Sequence, residues 1–319
     1  MIDLLETILE ESTFDGLTSV ETAITLVNED IYRLMDLSNR LRQGFRGNRI
    51  DICSIVNAKS GACTEDCHYC AQSAKSNAGV KVYPLLPDEI ITEAARAAME
   101  NGAKRFCIVT SGKKVNNDDL KRICRVVTQI RELGLLPCAT LGLLNRDELM
   151  ELKDAGLERF HHNIETSRDF FPRICRTHRY EDKLRTIEAV KDTGLSLCSG
   201  GIFGMGESWK DRIEMAFELR EIGADSIPIN FLTPIKGTLL GDMEMLSPIE
   251  ALRIISLYRL ILPSKEIRVC GGRNVVLREL NSFIFMAGAN GFLIGNYLTT
   301  TGREPKADLK LLDDLNLER

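Results

Sequence analysis

Eight short apolar segments constrain this chain more than any other feature. They lie near residues 51–57, 105–110, 136–141, 158–164, 195–202, 225–231, 265–270 and 290–295, each parted from the next by a polar loop and a stretch of helical periodicity. Strands that alternate with helices pair in parallel, and eight of them close on themselves. The expected fold class is therefore α/β, a TIM-type (β/α)8 barrel. Among the helical stretches are Pro87 to Glu100 and Asp118 to Leu133, the first opened by Pro87-Asp88-Glu89, as helix starts favour. Residues 1 to about 45 read as short amphipathic helices, with Thr18 or Ser19 as an N-cap and Leu26, Ile31, Leu34 and Leu37 at helical spacing. The tail from Thr301 to Arg319 is polar and then helical. The expected organisation is an N-terminal helical cap over 1–48, the barrel over 49–300 and a short helical tail over 301–319 packed on it. With 319 residues, 44% of them hydrophobic, the chain can enclose one such core.

Between the first strand and the first helix runs Cys63-Thr64-Glu65-Asp66-Cys67-His68-Tyr69-Cys70, three thiols spaced C-x3-C-x2-C. Thiolates at that spacing can close on one iron–sulfur cube and leave its fourth iron without a protein ligand. Tandem ferredoxin runs use C-x2-C-x2-C, and structural zinc sites pair C-x2-C with a second pair or with histidines, so neither fits. Glu65, Asp66 and His68 mark a polar loop rather than a core segment that merely packs its cysteines. The triad, with the aromatic Tyr69 before its last cysteine, resembles the signature of the radical S-adenosylmethionine (SAM) superfamily. In that superfamily SAM chelates the open iron of a 4Fe-4S cluster.

Strand parity adds a second set of candidates, because alternate residues of a strand face one side. His161, Asn163 and Glu165 share a face, with His162 and Ile164 on the other. Barrel interiors are normally filled by branched apolar side chains, so inward polar groups near strand ends suggest a ligand. Asn230 stands at the carboxyl end of the sixth segment, where barrel enzymes place ligand contacts. Cys53, Cys107, Cys138, Cys198 and Cys270 fall on five different strands, with Arg105 sharing parity with Cys107 and Arg268 with Cys270. One strand cysteine is usually a small buried hydrophobe. Five, beside buried arginines that demand an anionic partner, favour a second iron–sulfur site inside the barrel. Cys124 and Cys175 read as packing residues. In Gly200-Gly201-Ile202-Phe203-Gly204-Met205-Gly206 the spacing is not that of a dinucleotide fingerprint, and the glycines are expected to let backbone approach a ligand closely.

A formal charge of -5 implies no basic face, so nucleic acid and anionic membranes are unexpected partners. Met1-Ile2-Asp3-Leu4-Leu5-Glu6 lacks the basic and apolar regions of a signal peptide, and no window reaches a membrane-spanning length. The expected location is cytoplasmic. Ten cysteines there argue for metal ligation or reactive thiols rather than disulfides.

Gly61-Ala62-Cys63 through Cys70, Arg105-Phe106-Cys107, Cys138-Ala139-Thr140-Leu141-Gly142, Cys198-Ser199-Gly200-Gly201, Pro228-Ile229-Asn230 and Phe285-Met286-Ala287-Gly288-Ala289-Asn290 together resemble the biotin synthase family, from about residue 50 to 315. The resemblance implies radical-based sulfur insertion: SAM is reductively cleaved to a 5′-deoxyadenosyl radical, hydrogen is taken from an unactivated carbon of dethiobiotin, and sulfur comes from an auxiliary cluster. It implies that Cys63, Cys67 and Cys70 hold the 4Fe-4S cluster, and that Cys107, Cys138, Cys198 and Arg268 hold the auxiliary cluster, 2Fe-2S in familiar members. Tyr69, Asn163, Glu165, Lys183 and Ile202 would contact SAM; His161, Asn163 and Asn230 would contact dethiobiotin. Further implied partners are a flavodoxin- or ferredoxin-type reductant, iron–sulfur assembly proteins and a second copy in a homodimer. His161, Glu165 and Lys183 stand where asparagine, aspartate and arginine are familiar, and Cys53 and Cys270 where serine is. The two extra thiols suggest a larger auxiliary cluster with Cys53 or Cys270 as an added ligand. Rival readings are a radical SAM enzyme of the hydrogenase-cofactor maturase or methylornithine synthase type, or a non-catalytic iron–sulfur carrier.

Overall fold

The structure, a computed structural model, describes residues 15–319. The part of the helical cap expected before residue 15, and the signal-peptide reading of Met1 to Glu6, lie outside the described residues. Strands β1 (Asp51–Lys59), β2 (Arg105–Thr110), β3 (Leu136–Thr140), β4 (Arg159–His161), β5 (Ser196–Cys198), β6 (Gly201–Phe203), β7 (Ser226–Phe231), β8 (Glu266–Val269) and β9 (Gly291–Leu293) form one parallel sheet. Its order is β5-β4-β3-β2-β1-β9-β8-β7-β6, and pairing of Cys198 on β5 with Ser226 on β7 closes it. The fifth expected strand is split into β5 and β6, so the barrel has the eight expected staves.

Two glycines make the split. A Cβ on Gly200 would lie 2.1 Å from the Pro228 carbonyl oxygen, and one on Gly201 would lie 2.3 Å from the Glu165 carbonyl oxygen. The expectation that these glycines admit a ligand is thus corrected. They admit neighbouring backbone, which lets the chain jog across the barrel wall at Ser199-Gly200.

Eleven helices accompany the strands among the described residues: α1 (Val20–Thr25), α2 (Ile31–Arg46), α3 (Asp88–Glu100), α4 (Asn117–Glu132), α5 (Arg146–Asp154), α6 (Tyr180–Thr193), α7 (Trp209–Glu221), α8 (Pro248–Ile261), α9 (Arg273–Leu277), α10 (Phe283–Met286) and α11 (Pro305–Asp314). Side-chain caps start several of them. Ser19 accepts from the Thr22 amide at the head of α1, Asn116 from Asp119 at α4, and Ser208 and Asp211 form a capping box at α7. Leu26, Ile31, Leu34 and Leu37 are buried as their spacing predicts. Helix α2 lies over α8, where Ser38 Oγ donates to the Ser256 carbonyl at 3.2 Å, and it leaves α8 buried on nearly every side.

The C-terminal helix α11 is pinned from inside. Arg273 Nη2 lies 2.6 Å from Asp308 Oδ2 and Nη1 lies 3.2 Å from Oδ1, both side chains essentially without exposure. The guanidinium also stacks over Phe292, 5.0 Å from its ring centre. Removing one partner strands the other charge in the core. Asp308→Ala is therefore expected to lower the unfolding free energy by about 3–5 kcal/mol in urea titrations, with Arg273→Ala giving a similar loss.

Candidate functional site

The barrel is hollow toward the carboxyl ends of its strands. A cavity of about 350 Å³ opens there, lined by all five strand cysteines together with Arg105, Arg159, His161, Asn230 and Arg268. Inward parity is thus what the sequence implies: Cys107 on β2 stands in register with Cys138 on β3, and His161 on β4 with Cys198 on β5. Cys53, Cys107, Cys138 and Cys270 form one packed cluster with Val109 and Leu293.

Beneath the thiols lies a buried layer of charge. Arg159 donates through both Nη atoms to the Glu266 carboxylate at 3.1 and 3.0 Å. Arg105 Nη1 meets Glu158 Oε2 at 3.0 Å, and Arg268 Nη2 meets Asp51 Oδ1 at 2.8 Å and also Glu266. The buried arginines do have the anionic partners expected of them, and carboxylates take most of their donors. Two donors remain. Arg105 Nε and Arg268 Nε are buried without a hydrogen-bond partner among the described residues. Together with five thiols facing one cavity, that donor set fits a thiolate-held iron–sulfur group, whose sulfides accept from buried donors.

The thiols are not equivalent. Burial pushes Cys53 and Cys107 well above the ordinary thiol value and Cys270 up to about 12. Cys198 is the exception. Burial again raises it, but the charge of His161, the hydrogen bond from His161 and the charges of Arg268 and Arg159 outweigh that and bring it down to about 7. His161 Nδ1 lies 3.3 Å from Cys198 Sγ. That nitrogen is committed to the thiol, which leaves Nε2 for anything in the cavity.

At the mouth, Asn163 and Glu165 follow β4 in a loop and line the same cavity as Tyr69, Cys70 and Ile202. Glu165 adopts a φ of 75°, uncommon for a residue with a side chain. Its amide donates to the Gly200 carbonyl at 3.0 Å and its carbonyl accepts from the Ile202 amide at 2.9 Å, so the jog in the barrel wall holds it there. Asn163 Nδ2 donates to Glu165 Oε2 at 3.3 Å, and Asn163 Oδ1 accepts from the Gly200 amide at 3.1 Å. Lys183 does not line the cavity. It stands behind, Nζ donating to the Asn163 carbonyl at 3.1 Å and 3.9 Å from Glu165 Oε1, and so acts on the cavity through Glu165. Asn230 is braced by the Gly271 amide at 2.9 Å and by the Gly201 carbonyl at 3.1 Å.

The loop of Cys63, Cys67 and Cys70 is folded over this mouth. Ala74 donates to the Cys63 carbonyl at 2.7 Å, Cys70 to the Cys67 carbonyl at 2.9 Å, and His68 to the Ile174 carbonyl at 2.9 Å. Only Cys70 of the three reaches the cavity. Tyr69 is raised well above its ordinary value by burial and by the nearby Glu165 carboxylate. Cys175 is buried in the core, as a packing residue is, and its sulfur also has polar neighbours, 3.9 Å from Cys67 Sγ, 3.3 Å from His178 Nδ1 and 3.5 Å from Asp66 Oδ1. Cys124 does pack, half-buried on α4 against the core. Arg159, Asp51 and Glu266 went unremarked in the sequence, although Arg159 shares the parity of His161.

In the metal-free chain, alkylation of Cys198 by iodoacetamide is expected to rise as pH climbs through about 7. The other four barrel thiols require more alkaline solution. His161→Asn, which removes the imidazole that lowers Cys198, moves the Cys198 profile to higher pH. Peptide mass mapping after timed alkylation reads both.

Comparison with known proteins places this geometry. The sequence matches the Radical SAM superfamily over residues 58–219 and the Biotin and Thiamin Synthesis associated domain over 228–318. It is 54% identical over 288 residues to the biotin synthase of Thermodesulfovibrio yellowstonii, covering 90% of this chain and 91% of that protein. To the biotin synthase of Geotalea daltonii it is 48% identical over 318 residues, covering 98% and 97%. Among solved structures, methylornithine synthase (PylB) superposes with a TM-score of 0.84 at 18% identity, covering 99% of this chain and 97% of that one. The hydrogenase maturase HydG gives 0.83 at 16%, covering 98% and 74%. Those two likenesses establish the barrel fold, the match over residues 58–219 establishes the Radical SAM superfamily, and the two sequence relatives establish more: the chain belongs to the biotin synthase family.

Proposed function

We propose that this chain inserts sulfur into dethiobiotin to form biotin, as a radical SAM sulfurtransferase. The observation that carries the reading is one cavity with two chemistries: five thiols and unpaired arginine donors at its base, and Tyr69, Asn163 and Glu165 beside Cys70 at its mouth. Cys63, Cys67 and Cys70 would hold a 4Fe-4S cluster. Cys107, Cys138, Cys198 and Arg268 would hold the auxiliary cluster, with Cys53 or Cys270 as an added ligand. Bound there, the two clusters and SAM supply a reductively generated 5′-deoxyadenosyl radical and the sulfur atom.

The chain's own groups do the positioning. Glu165, locked at its positive φ, presents a carboxylate that can accept from ribose hydroxyls, and Lys183 stands behind it, 3.9 Å from Oε1. Tyr69 and Ile202 flank the same wall, and Asn163, tied to the Gly200 amide, divides its reach between SAM and dethiobiotin. His161 Nε2 and Asn230 face the depth of the cavity, where dethiobiotin would lie between the two clusters. Apolar neighbours such as Ile55, Val109 and Leu293 keep water away from a radical formed there.

The family resemblance supports the remaining parts of the reading: a cytoplasmic homodimer, reduced by a flavodoxin- or ferredoxin-type protein and supplied by iron–sulfur assembly proteins. Among the described residues no helix is long and apolar enough to cross a membrane. The maturase-like and methylornithine synthase-like readings have only the shared fold in their favour. A pure carrier would leave the polar set at Asn163 and Glu165 without a task.

Anaerobic incubation of the reconstituted protein with SAM, dethiobiotin and a low-potential reductant is expected to yield biotin together with 5′-deoxyadenosine, followed by mass spectrometry. Deoxyadenosine without biotin rejects dethiobiotin as the substrate. The larger auxiliary cluster is checked separately. In a chain carrying Cys63→Ala, Cys67→Ala and Cys70→Ala, iron and sulfide analysis is expected to exceed the roughly two irons per chain of a 2Fe-2S group, and a count of about two removes Cys53 and Cys270 from the ligand set.

A further inference from the structure

Cys175 has no part in the roles above, yet it is 3% exposed and held with care. Asp66 Oδ1 accepts from the amides of Arg176 and Thr177 at 2.9 and 3.1 Å, and this turn aims the Cys175 sulfur at Cys67. The same turn carries His178 inward, its ring edge-on to Phe171 at 5.6 Å. Glu65 Oε2 then lies 2.6 Å from His178 Nδ1. Cys67, Cys175 and His178 thereby bring three ligand atoms within 4.8 Å of one another.

The spacings suit a single ion. Cys67 Sγ and Cys175 Sγ are 3.9 Å apart, and Cys175 Sγ and His178 Nε2 are 3.8 Å apart. Tetrahedral zinc, with Zn–S about 2.3 Å and Zn–N about 2.0 Å, sets its sulfurs about 3.8 Å apart and sulfur from nitrogen about 3.5 Å. Glu65 supplies what a ligating histidine usually has, a carboxylate on the far ring nitrogen that fixes the tautomer and leaves the Nε2 lone pair for the metal. Cys63 and Cys70 belong to neither the turn nor this group of atoms.

We propose that, before an iron–sulfur group occupies the loop, Cys67, Cys175 and His178 bind one thiophilic divalent cation of the zinc type, with its fourth position left to water. Both sulfurs bind as thiolates, so up to two protons leave for each ion taken up. Cys67 cannot serve two metals, and the captured cation and the cluster exclude each other. That exclusion rests on the cluster proposed above; the cation site itself does not.

The full-length chain carrying Cys63→Ala and Cys70→Ala, purified metal-free, removes the triad as a competitor. Titrated with Co²⁺ and then Zn²⁺, it is expected to show a tetrahedral thiolate–cobalt spectrum that zinc bleaches. Adding Cys175→Ser, or separately His178→Ala, is expected to remove one ion per chain or weaken it at least about tenfold, while the barrel thiols contribute equally to every variant. Far-UV circular dichroism establishes that each variant is folded, and an unfolded one is replaced by Cys175→Ala or His178→Gln. Equal metal counts and spectra in the parent and in either added variant overturn the site. In the wild-type chain, zinc loading is expected to slow iron uptake into the loop at least about tenfold relative to zinc-treated Cys175→Ser. Equal rates, with the cobalt site present, overturn the exclusion and leave the cation site standing.

Discussion

The site stands on a floor of buried charge. Buried Arg105, Arg159 and Arg268 meet the buried Glu266 and the partly exposed Asp51 and Glu158, three guanidiniums against three carboxylates. Taking such groups from water costs several kcal/mol each, and the cost is offset only when geometry and hydrogen bonds are good. The two-pronged contact of Arg159 with Glu266 meets that condition. An apolar filling of Val, Ile and Leu would be cheaper to bury, but it would close the cavity and leave the thiols above without cationic neighbours. Two residues past Asp51 and Arg105 on β1 and β2 come Cys53 and Cys107, and two past Arg268, just beyond the end of β8, comes Cys270. Floor and thiol ring are therefore consecutive inward layers of the same strands.

A second constraint comes from the broken stave. With no Cβ at Gly200 or Gly201, backbone from the loop after β4 and from β7 closes to van der Waals contact, and that closeness fixes Glu165 in its left-handed conformation. Asn163, Glu165, Ile202 and Asn230 are all tied to this jog by backbone or side-chain hydrogen bonds. Groups gathered from three elements thus move as one unit. For a reaction that needs a carbon held within reach of two separate groups, such stiffness outweighs the backbone strain of order 1–3 kcal/mol.

Much of this was legible in the sequence because strands encode facing by parity. The thiols at Cys53, Cys107, Cys138, Cys198 and Cys270 and the polar face of His161, Asn163 and Glu165 follow from counting by two, and the triad from spacing alone. What parity does not carry is which inward groups touch. Neither the 3.3 Å contact of His161 with Cys198 nor the station of Lys183 behind Glu165 follows from a strand pattern, since the first depends on stagger between strands and the second on how α6 packs behind the loop after β4. Cys175 was legible as a packing residue, but its contact with Cys67 was not: it sits in a turn more than a hundred residues away, and turns have no period from which a direction can be read. The glycine pair was misread because a glycine run shows that something approaches, without showing whether it is ligand or backbone.

The placement of the triad has one more consequence. Cys70 lines the cavity, whereas Cys63 and Cys67 do not, and Cys67 stands toward Cys175. A metal group seated on those sulfurs would form part of the chamber's wall, with one face to the reactants and the other toward the turn at Cys175 and Thr177. Charge could then arrive through the wall, from the side away from the mouth by which small molecules enter and leave.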